Sequence, residues 1–391
     1  MPEGTRRVAV ITGTRADWGI LRPVARALAL EPGLEPCLIV AGMHLLPEFG
    51  GTSAEVEADG FPIAARVDMI LASDTPGGMA RSLGLGVIGM AQALETARPD
   101  VVLVMGDRGE QFAAALAAAH LNLPVAHIHG GECTVGGNID ESLRWAITRF
   151  AHIHLVATRA GADRLRRLGE EPWRIHVVGA PALDVALGTE PWGEERVRRH
   201  LGLGPGRPLV VVQHPVTTQA ESAAAQMRET MEAVVGCGLE AVVIYPNADA
   251  GGRAMIGVLE EYRDRPGIHL HPTLPHPVYL GLLKMAAALV GNSSSGIIEA
   301  PSLGLVAVNV GIRQLGRERG ANVLDVGCDR KEIAAAIDRA LHDGELLRRI
   351  RAVPNPYGDG RASARIAGIL AGLALGERLI QKRFGSVEGA E

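Results

Sequence analysis

The sequence predicts an α/β protein made of two Rossmann-like, doubly wound halves facing a cleft. Three observations predict it. Short apolar runs of strand length alternate with runs of helical length along the whole chain, the pattern of parallel sheets covered by helices on both faces. Many strand runs close in glycine turns carrying acids and bases, which is where open α/β sheets bind ligands. The chain has 391 residues, more than one hydrophobic core usually holds, so two domains are the natural division.

The first half is assigned to residues 1–185. Val8–Thr12 is an apolar strand that closes in Gly13-Thr14-Arg15-Ala16-Asp17, and Gly19–Leu30 has helical periodicity. Cys37–Ala41 is a second strand, and the apolar, glycine-containing stretch Met79–Ala97 reads as a buried helix. Val101–Met105 and Pro124–Ile128 are continuous apolar runs, the mark of strands buried on both faces. His154–Ala157 and Ile175–Val178 follow. Residues 186–207 are polar, rich in Gly and Pro and without a strand, and read as the connection between domains. The second half, 208–360, holds strands at Leu209–Gln213, Ala241–Tyr245, Gly267–Leu270, Ala287–Val290, Val306–Val310 and near Val323. Residues 361–385 are expected to pack back on the first half, with one or two helices over Ser363–Lys382.

Composition limits the function. With 39 basic against 44 acidic residues the net charge is −5, which argues against a general nucleic-acid or membrane-surface binder. No run of 18 apolar residues and no leader pattern at the N-terminus point to a cytoplasmic protein. Cys37, Cys133, Cys237 and Cys328 are scattered without a CxxC, so neither a zinc cage nor a disulfide framework is expected. His127 and His129 have ligand spacing, but His152 and His154 repeat it on the next strand, so the pattern is common here and no metal is expected. The first turn lacks the G-x-G-x-x-G fingerprint and no Walker A motif occurs, which disfavours NAD and ATP chemistry.

The densest chemistry lies in residues 103–144. Asp107, Arg108 and Glu110 follow one strand, His129 and Glu132 the next, and Asp140, Glu141 and Arg144 open a helix. Carboxylates, a histidine and an arginine gathered at strand ends suit acid–base catalysis. In the second half, Asn292-Ser293-Ser294-Ser295-Gly296 follows a strand and opens a helix over Ile297–Ser302. Free N–H groups and hydroxyls there would hold an anion. Glu299, one turn in, suits the cis hydroxyls of a ribose. His214, in Gln213-His214-Pro215, and Arg313 sit at two further strand ends, Arg313 where a cation would serve a diphosphate.

The chain resembles the hydrolysing UDP-N-acetylglucosamine 2-epimerases. The resemblance runs from about residue 7 to 370 and is carried by GTRADWG (13–19), SDTPGGMARSLGLG (73–86), GDRGE (106–110), HIHGGE (127–132), DESLR (140–144), QHPVTT (213–218), YPNADAGG (245–252), GNSSSGIIEAPSLG (291–304) and RQ-x-GR (313–317). It implies a glycosyltransferase-B-like fold and a homodimer or homotetramer, with a UDP-sugar as substrate and no cofactor. Asp107, Asp140 and an acidic position in the HIHGGE turn match the family's catalytic carboxylates. Where some members carry a glutamate this chain has His129, so either His129 or Glu132 fills that position. Arg144 matches a nearby arginine. His214, Ser293, Ser294, Glu299 and Arg313 match nucleotide-binding positions, joined by Arg15 and Gly179. Arg108, Ser295 and Gly296 complete the expected UDP-sugar set, and His214 is also a candidate for catalysis. The implied reaction converts UDP-N-acetylglucosamine and water to N-acetylmannosamine and UDP through a glycal. The same reaction on UDP-2,4-diacetamido-2,4,6-trideoxyglucose, non-hydrolysing epimerisation, a glycosyltransferase and a non-catalytic UDP-sugar sensor are the alternatives.

Overall fold

The computed structural model describes residues 4–46, 52–72, 75–134, 139–247 and 249–383. Ser73, Asp74 and Ala248, which belong to two of the motifs above, lie outside these. The chain divides into two compact units. Met1–Glu132, Ile139–Val185 and Gly358–Glu391 form the first, and Ala186–Tyr357 makes up nearly all of the second.

The first unit holds a seven-stranded sheet of β1 (Arg6–Thr12), β2 (Leu34–Ala41), β3 (Ile63–Val67), β4 (Val101–Met105), β5 (Val125–Ile128), β6 (Ile153–Val156) and β7 (Ile175–Val177). Its order is β3-β2-β1-β4-β5-β6-β7. The second holds β8 (Leu209–Val212), β9 (Ala241–Ile244), β10 (Ile268–His271), β11 (Ala288–Gly291), β12 (Ala307–Val310) and β13 (Val323–Val326), in the order β10-β9-β8-β11-β12-β13. Strand pairs such as β1 with β4 and β8 with β11 are parallel. Strand order reverses between β1 and β4 and between β8 and β11, and at such reversals the loops diverge and open a crevice at the C-terminal edge.

Side chains alternate between two cores. Val8 and Val10 of β1 enter one cluster, Ala9 and Ile11 the other. Leu209 and Val211 of β8 face one side, Val210 and Val212 the other. Each fully buried Val or Leu contributes about 1.5–3 kcal/mol, so both faces of each sheet are anchored and the loops at the strand ends leave from fixed points.

Four local differences from the sequence reading have physical reasons. Strand β3 was not expected: IAARV is half-exposed at the sheet edge and carries no clean alternation. The helix at Met79–Ala97 begins at Pro76, capped by Thr75, and is not buried throughout, because Met79, Leu85 and Ile88 are exposed. Residues 186–207 are not a bare connection: helix Glu194–Leu201 buries Val197 and Leu201 within the second unit. Only two apolar residues mark it, among arginines, but Glu194 and Glu195 in the first turn and Arg198, Arg199 and His200 in the last complement its dipole. After the serines the helix is a single turn, Ser295–Ile298, followed by a 3-10 turn at Ala300–Leu303.

Helices Ala362–Gly372 and Glu377–Ile380 belong to the first unit. Ile366, Ala367 and Leu370 join the cluster of Leu21, Val24 and Leu28. The Asp184 carboxylate accepts from the N–H groups of Ala362 and Ser363 at 2.9 and 2.6 Å. Buried Arg174 donates to the carbonyls of Leu379, Arg378 and Gln381. No helix among the described residues is long and apolar enough to cross a membrane.

Candidate active site

In the first unit most of the expected residues gather at the ends of β4 and β5. Register places Met105 beside Ile128, so Asp107 and His129 leave the sheet at neighbouring positions. Helix Ile139–Phe150 brings in Arg144, which is 3% exposed. Arg144 donates to the Asp107 carboxylate and, at 2.7 Å, to Glu141 Oε2. The Trp145 indole N–H holds the other Glu141 oxygen at 2.9 Å. Burial opposes the charge on Arg144, but Asp107, Glu132 and Glu141 outweigh it and raise its pKa. The result is a fixed cation aimed at Asp107.

His129 adopts a left-handed backbone, φ 65°, a conformation that costs a non-glycine residue on the order of 1 kcal/mol or more. The turn sends its ring back over the loop, where Nδ1 lies 2.6 Å from Glu132 Oε1. Glu132 is itself buried. The two candidates for the second acidic position are thus one hydrogen-bonded pair. Gly131 makes the turn possible: its φ is +76°, and a Cβ there would sit 2.6 Å from the Gly161 carbonyl oxygen. Arg164 fixes the same peptide by donating to Gly131 O at 2.8 Å.

Asp140 is exposed in the first turn of helix Ile139–Phe150, and its charge acts on Arg108. Arg108 Nε lies 3.4 Å from Glu110 Oε2. Burial works against the Arg108 charge, and Glu110, Asp17 and Asp140 together raise its pKa. Glu110 is buried and fills the space left by Gly13, where a Cβ would come within 2.8 Å of its side chain. Burial pushes Asp17 up to about 6. Glu110 and Glu141 were read within the acid-rich stretch but given no role of their own, and Asp17 was not among the expected site residues. The signal was present as the glutamate three residues past Asp107 and the glycine before Thr14.

Other candidates are placed elsewhere. Arg15 is exposed and pairs with Glu55 at 3.4 Å, away from this cluster. Gly179 follows β7 at the sheet's far edge. The His127 ring is held between Gly106 O at 2.8 Å and Thr148 Oγ1 at 3.2 Å, and His154 is paired with Glu170 at 3.0 Å. Among the described residues no group of three or more His, Cys, Asp or Glu is placed to hold a metal ion.

In the second unit, His214, Ser293 and Arg313 follow β8, β11 and β12. Asn292 ties the first two loops: its side chain accepts from His214 N–H at 2.7 Å and donates to His214 O at 2.9 Å. His214 Nδ1 accepts the Asn247 N–H at 3.1 Å. Burial and then Arg313 lower its pKa to about 4, so at neutral pH the ring is uncharged with its proton on Nε2, a donor. Arg313 reaches Asn292 O at 3.4 Å, and burial followed by Arg317 lowers its pKa.

The serine turn differs from the expected row of free N–H groups. Ser295 N–H donates to Ser293 Oγ, Gly296 N–H to Ser293 O, and Ile297 N–H to Ser294 O. A one-turn helix satisfies most of its own donors this way, which leaves the hydroxyls and the Ser294 N–H as the polar surface. Gly296 is buried, packed against Ala307. Burial pushes Glu299 up to about 7, against the pull of Ser295 and Arg317, and its Oε2 has no partner among the described residues.

The family model described as UDP-N-acetylglucosamine 2-epimerase matches residues 26–371. A Legionella pneumophila protein named UDP-N,N'-diacetylbacillosamine 2-epimerase (hydrolyzing) is 37% identical over 96% of this chain and 98% of its own. A UDP-N-acetylglucosamine 2-epimerase of Neisseria meningitidis is 34% identical over 87% of this chain and 89% of its own. Among solved structures, a UDP-GlcNAc 2-epimerase from Neisseria meningitidis bound to UDP-GlcNAc superposes with a TM-score of 0.79 at 18% identity, covering 93% of this chain and 99% of that one. The two Rossmann-like α/β units are therefore of the glycosyltransferase-B-like class, a fold that solved glycosyltransferases share. With more than half of its length matched, the chain belongs to the UDP-N-acetylglucosamine 2-epimerase family.

Proposed function

We propose that this protein is a hydrolysing UDP-sugar 2-epimerase that converts UDP-N-acetylglucosamine and water to N-acetylmannosamine and UDP. One observation carries the reading: two acidic systems, Asp107 on buried Arg144 and Glu132 on His129, stand at the ends of adjacent strands. Inverting C2 needs a base for one face of the sugar and an acid for the other. The C2 proton is only weakly acidic. Breaking the C1–O bond to UDP builds positive charge at C1 and acidifies C2. A carboxylate takes the proton, UDP leaves, and a glycal remains. Water then adds at C1 while a proton returns to C2 on the opposite face. Asp107, Glu132, Asp140 and His129 are the groups assigned to these transfers, with Arg144 orienting Asp107.

The nucleotide is assigned to His214, Ser293, Ser294, Ser295, Glu299 and Arg313, with Arg108, Arg15 and Gly179 as further members. The Nε2–H of neutral His214 and the Arg313 guanidinium suit the leaving diphosphate. The unpartnered Glu299 carboxyl oxygen suits a ribose hydroxyl. A second substrate, the UDP-linked 2,4-diacetamido-2,4,6-trideoxy sugar, is favoured by the 37% identity to the diacetylbacillosamine enzyme.

Proton NMR in D₂O on both substrates tests this. Free N-acetylmannosamine deuterated at C2, plus UDP, is the expected result. Turnover of the diacetamido sugar alone moves the assignment to that substrate. UDP-N-acetylmannosamine as product overturns hydrolysis, and UDP binding without turnover of either sugar overturns epimerisation.

A further inference from the structure

Glu110 is a buried carboxylate with no part in the proton transfers assigned above. It stands in the first turn of helix Gly109–His120, two residues past Arg108. A negative charge suits that end of a helix, but an exposed one would serve as well. This one is turned inward, and two other turns make room for it. At Gly13, which follows β1, a Cβ would lie 2.8 Å from Glu110 Cδ. At Gly42, which follows β2 with φ +60°, a Cβ would lie 2.9 Å from Glu110 Cγ. Two strand ends forgo a side chain so that one carboxylate can be seated between them.

A buried carboxylate needs a partner for its charge. His44, close by, does not supply it. Its ring lies between the hydroxyls of Thr12 at 2.9 Å and Thr52 at 2.8 Å, and burial lowers its pKa. Arg108 does supply it: Nε lies 3.4 Å from Glu110 Oε2. On the next edge of the guanidinium, Nη2 donates to Met43 Sδ at 3.5 Å. Nη1 makes no hydrogen bond among the described residues, and the Arg108 side chain stays 43% exposed.

We propose that Glu110 is a positioning residue that holds Arg108 with Nη1 outward, ready for the diphosphate of a UDP-sugar. This rests on the UDP-sugar reading given above. A long side chain already fixed along one edge loses less freedom on meeting an anion than a loose one. A carboxylate at Nε supplies that hold and leaves the outer nitrogen uncovered. Packing alone would not call for a charge at position 110.

Binding of UDP, read by calorimetry, and of uridine, read by proton NMR titration, tests this on the full chain. Glu110→Gln keeps the shape of the side chain and removes its charge. It is expected to weaken UDP about tenfold and to leave uridine within about twofold, because only UDP carries the diphosphate. Arg108→Gln is expected to do the same. Adding Glu110→Gln to Arg108→Gln is expected to weaken UDP no further, since residues acting through one contact are not additive. If Glu110→Gln fails to fold, Glu110→Asp takes its place: it keeps the charge but draws it back from Nε, and again UDP is expected to weaken and uridine to hold. Unchanged UDP affinity in the folded variant, an equal loss for uridine, or additive losses in the double variant overturns the role of Glu110 and leaves the UDP-sugar reading standing. A wild type that binds no UDP overturns both.

Discussion

Arg144 is a buried cation with carboxylates on two sides, and the consequences of changing it or its partners differ. Asp107→Asn keeps the Glu141 bond to Arg144, so the fold should persist while the acid–base function goes. Steady-state kinetics should show turnover lower by about 10²–10⁴-fold, with UDP affinity by calorimetry within about twofold. An Asp107→Asn enzyme with full activity would falsify the assignment. Arg144→Met leaves Asp107 and Glu141 facing each other without a cation, and urea unfolding should show a loss of about 3–5 kcal/mol. Asp17 behaves differently because burial holds its folded pKa at about 6, above the ordinary aspartate value of 3.8. The folded state then holds a proton that the unfolded chain has released. Stability from this group is complete below about pH 3.8 and is lost as pH rises through 6, by about 3 kcal/mol in all. Asp17→Asn should therefore stabilise the protein at pH 8 and leave it nearly unchanged at pH 4, as thermal unfolding at both values will report. For Glu299, near 7, the ionised form is the better acceptor for ribose hydroxyls. Affinity for the UDP-sugar should rise between pH 6 and 8, and Glu299→Gln should abolish that rise.

At the scale of elements, the strands that position the candidate site were legible in the sequence. Val101–Met105 and the run ending at Ile128 announce themselves because burial on both faces makes them continuously apolar, and the acids follow directly in sequence. What sequence could not convey was how side chains cross between elements. That His129 and Glu132 form a pair depends on a left-handed residue, and histidine does not advertise one as glycine does. That Glu110 is buried depends on space left by Gly13 nearly a hundred residues earlier. Helix Glu194–Leu201 was lost because its two buried residues are outnumbered by arginines, although its charge order from Glu to Arg was legible. The HIHGGE turn gives an element-scale prediction. Gly131→Ala places a Cβ against Gly161 O at a positive φ, so the loop must move. The expected result is destabilisation by about 1–3 kcal/mol and loss of turnover with UDP affinity retained, read by unfolding and calorimetry.

On the scale of the whole molecule, the second unit is an insertion into the first. Residues 186–357 leave the first unit after Val185 and return to it at Gly358, and the returning segment is held by Asp184, Arg174 and the apolar face of helix Ala362–Gly372. This connectivity has a consequence for synthesis. A ribosome completes β1 through β7 long before it makes Ile366, Ala367 and Leu370, so Leu21, Val24 and Leu28 wait with their covering helix missing while about half the chain is still to come. The inserted unit, whose sheet and covering helices are contiguous in sequence, can close first. Emergence of helix Ala362–Gly372, rather than of the first seven strands, then becomes the moment at which the first unit acquires its full core. A nascent fragment ending at Val185 is the species in greatest need of a chaperone.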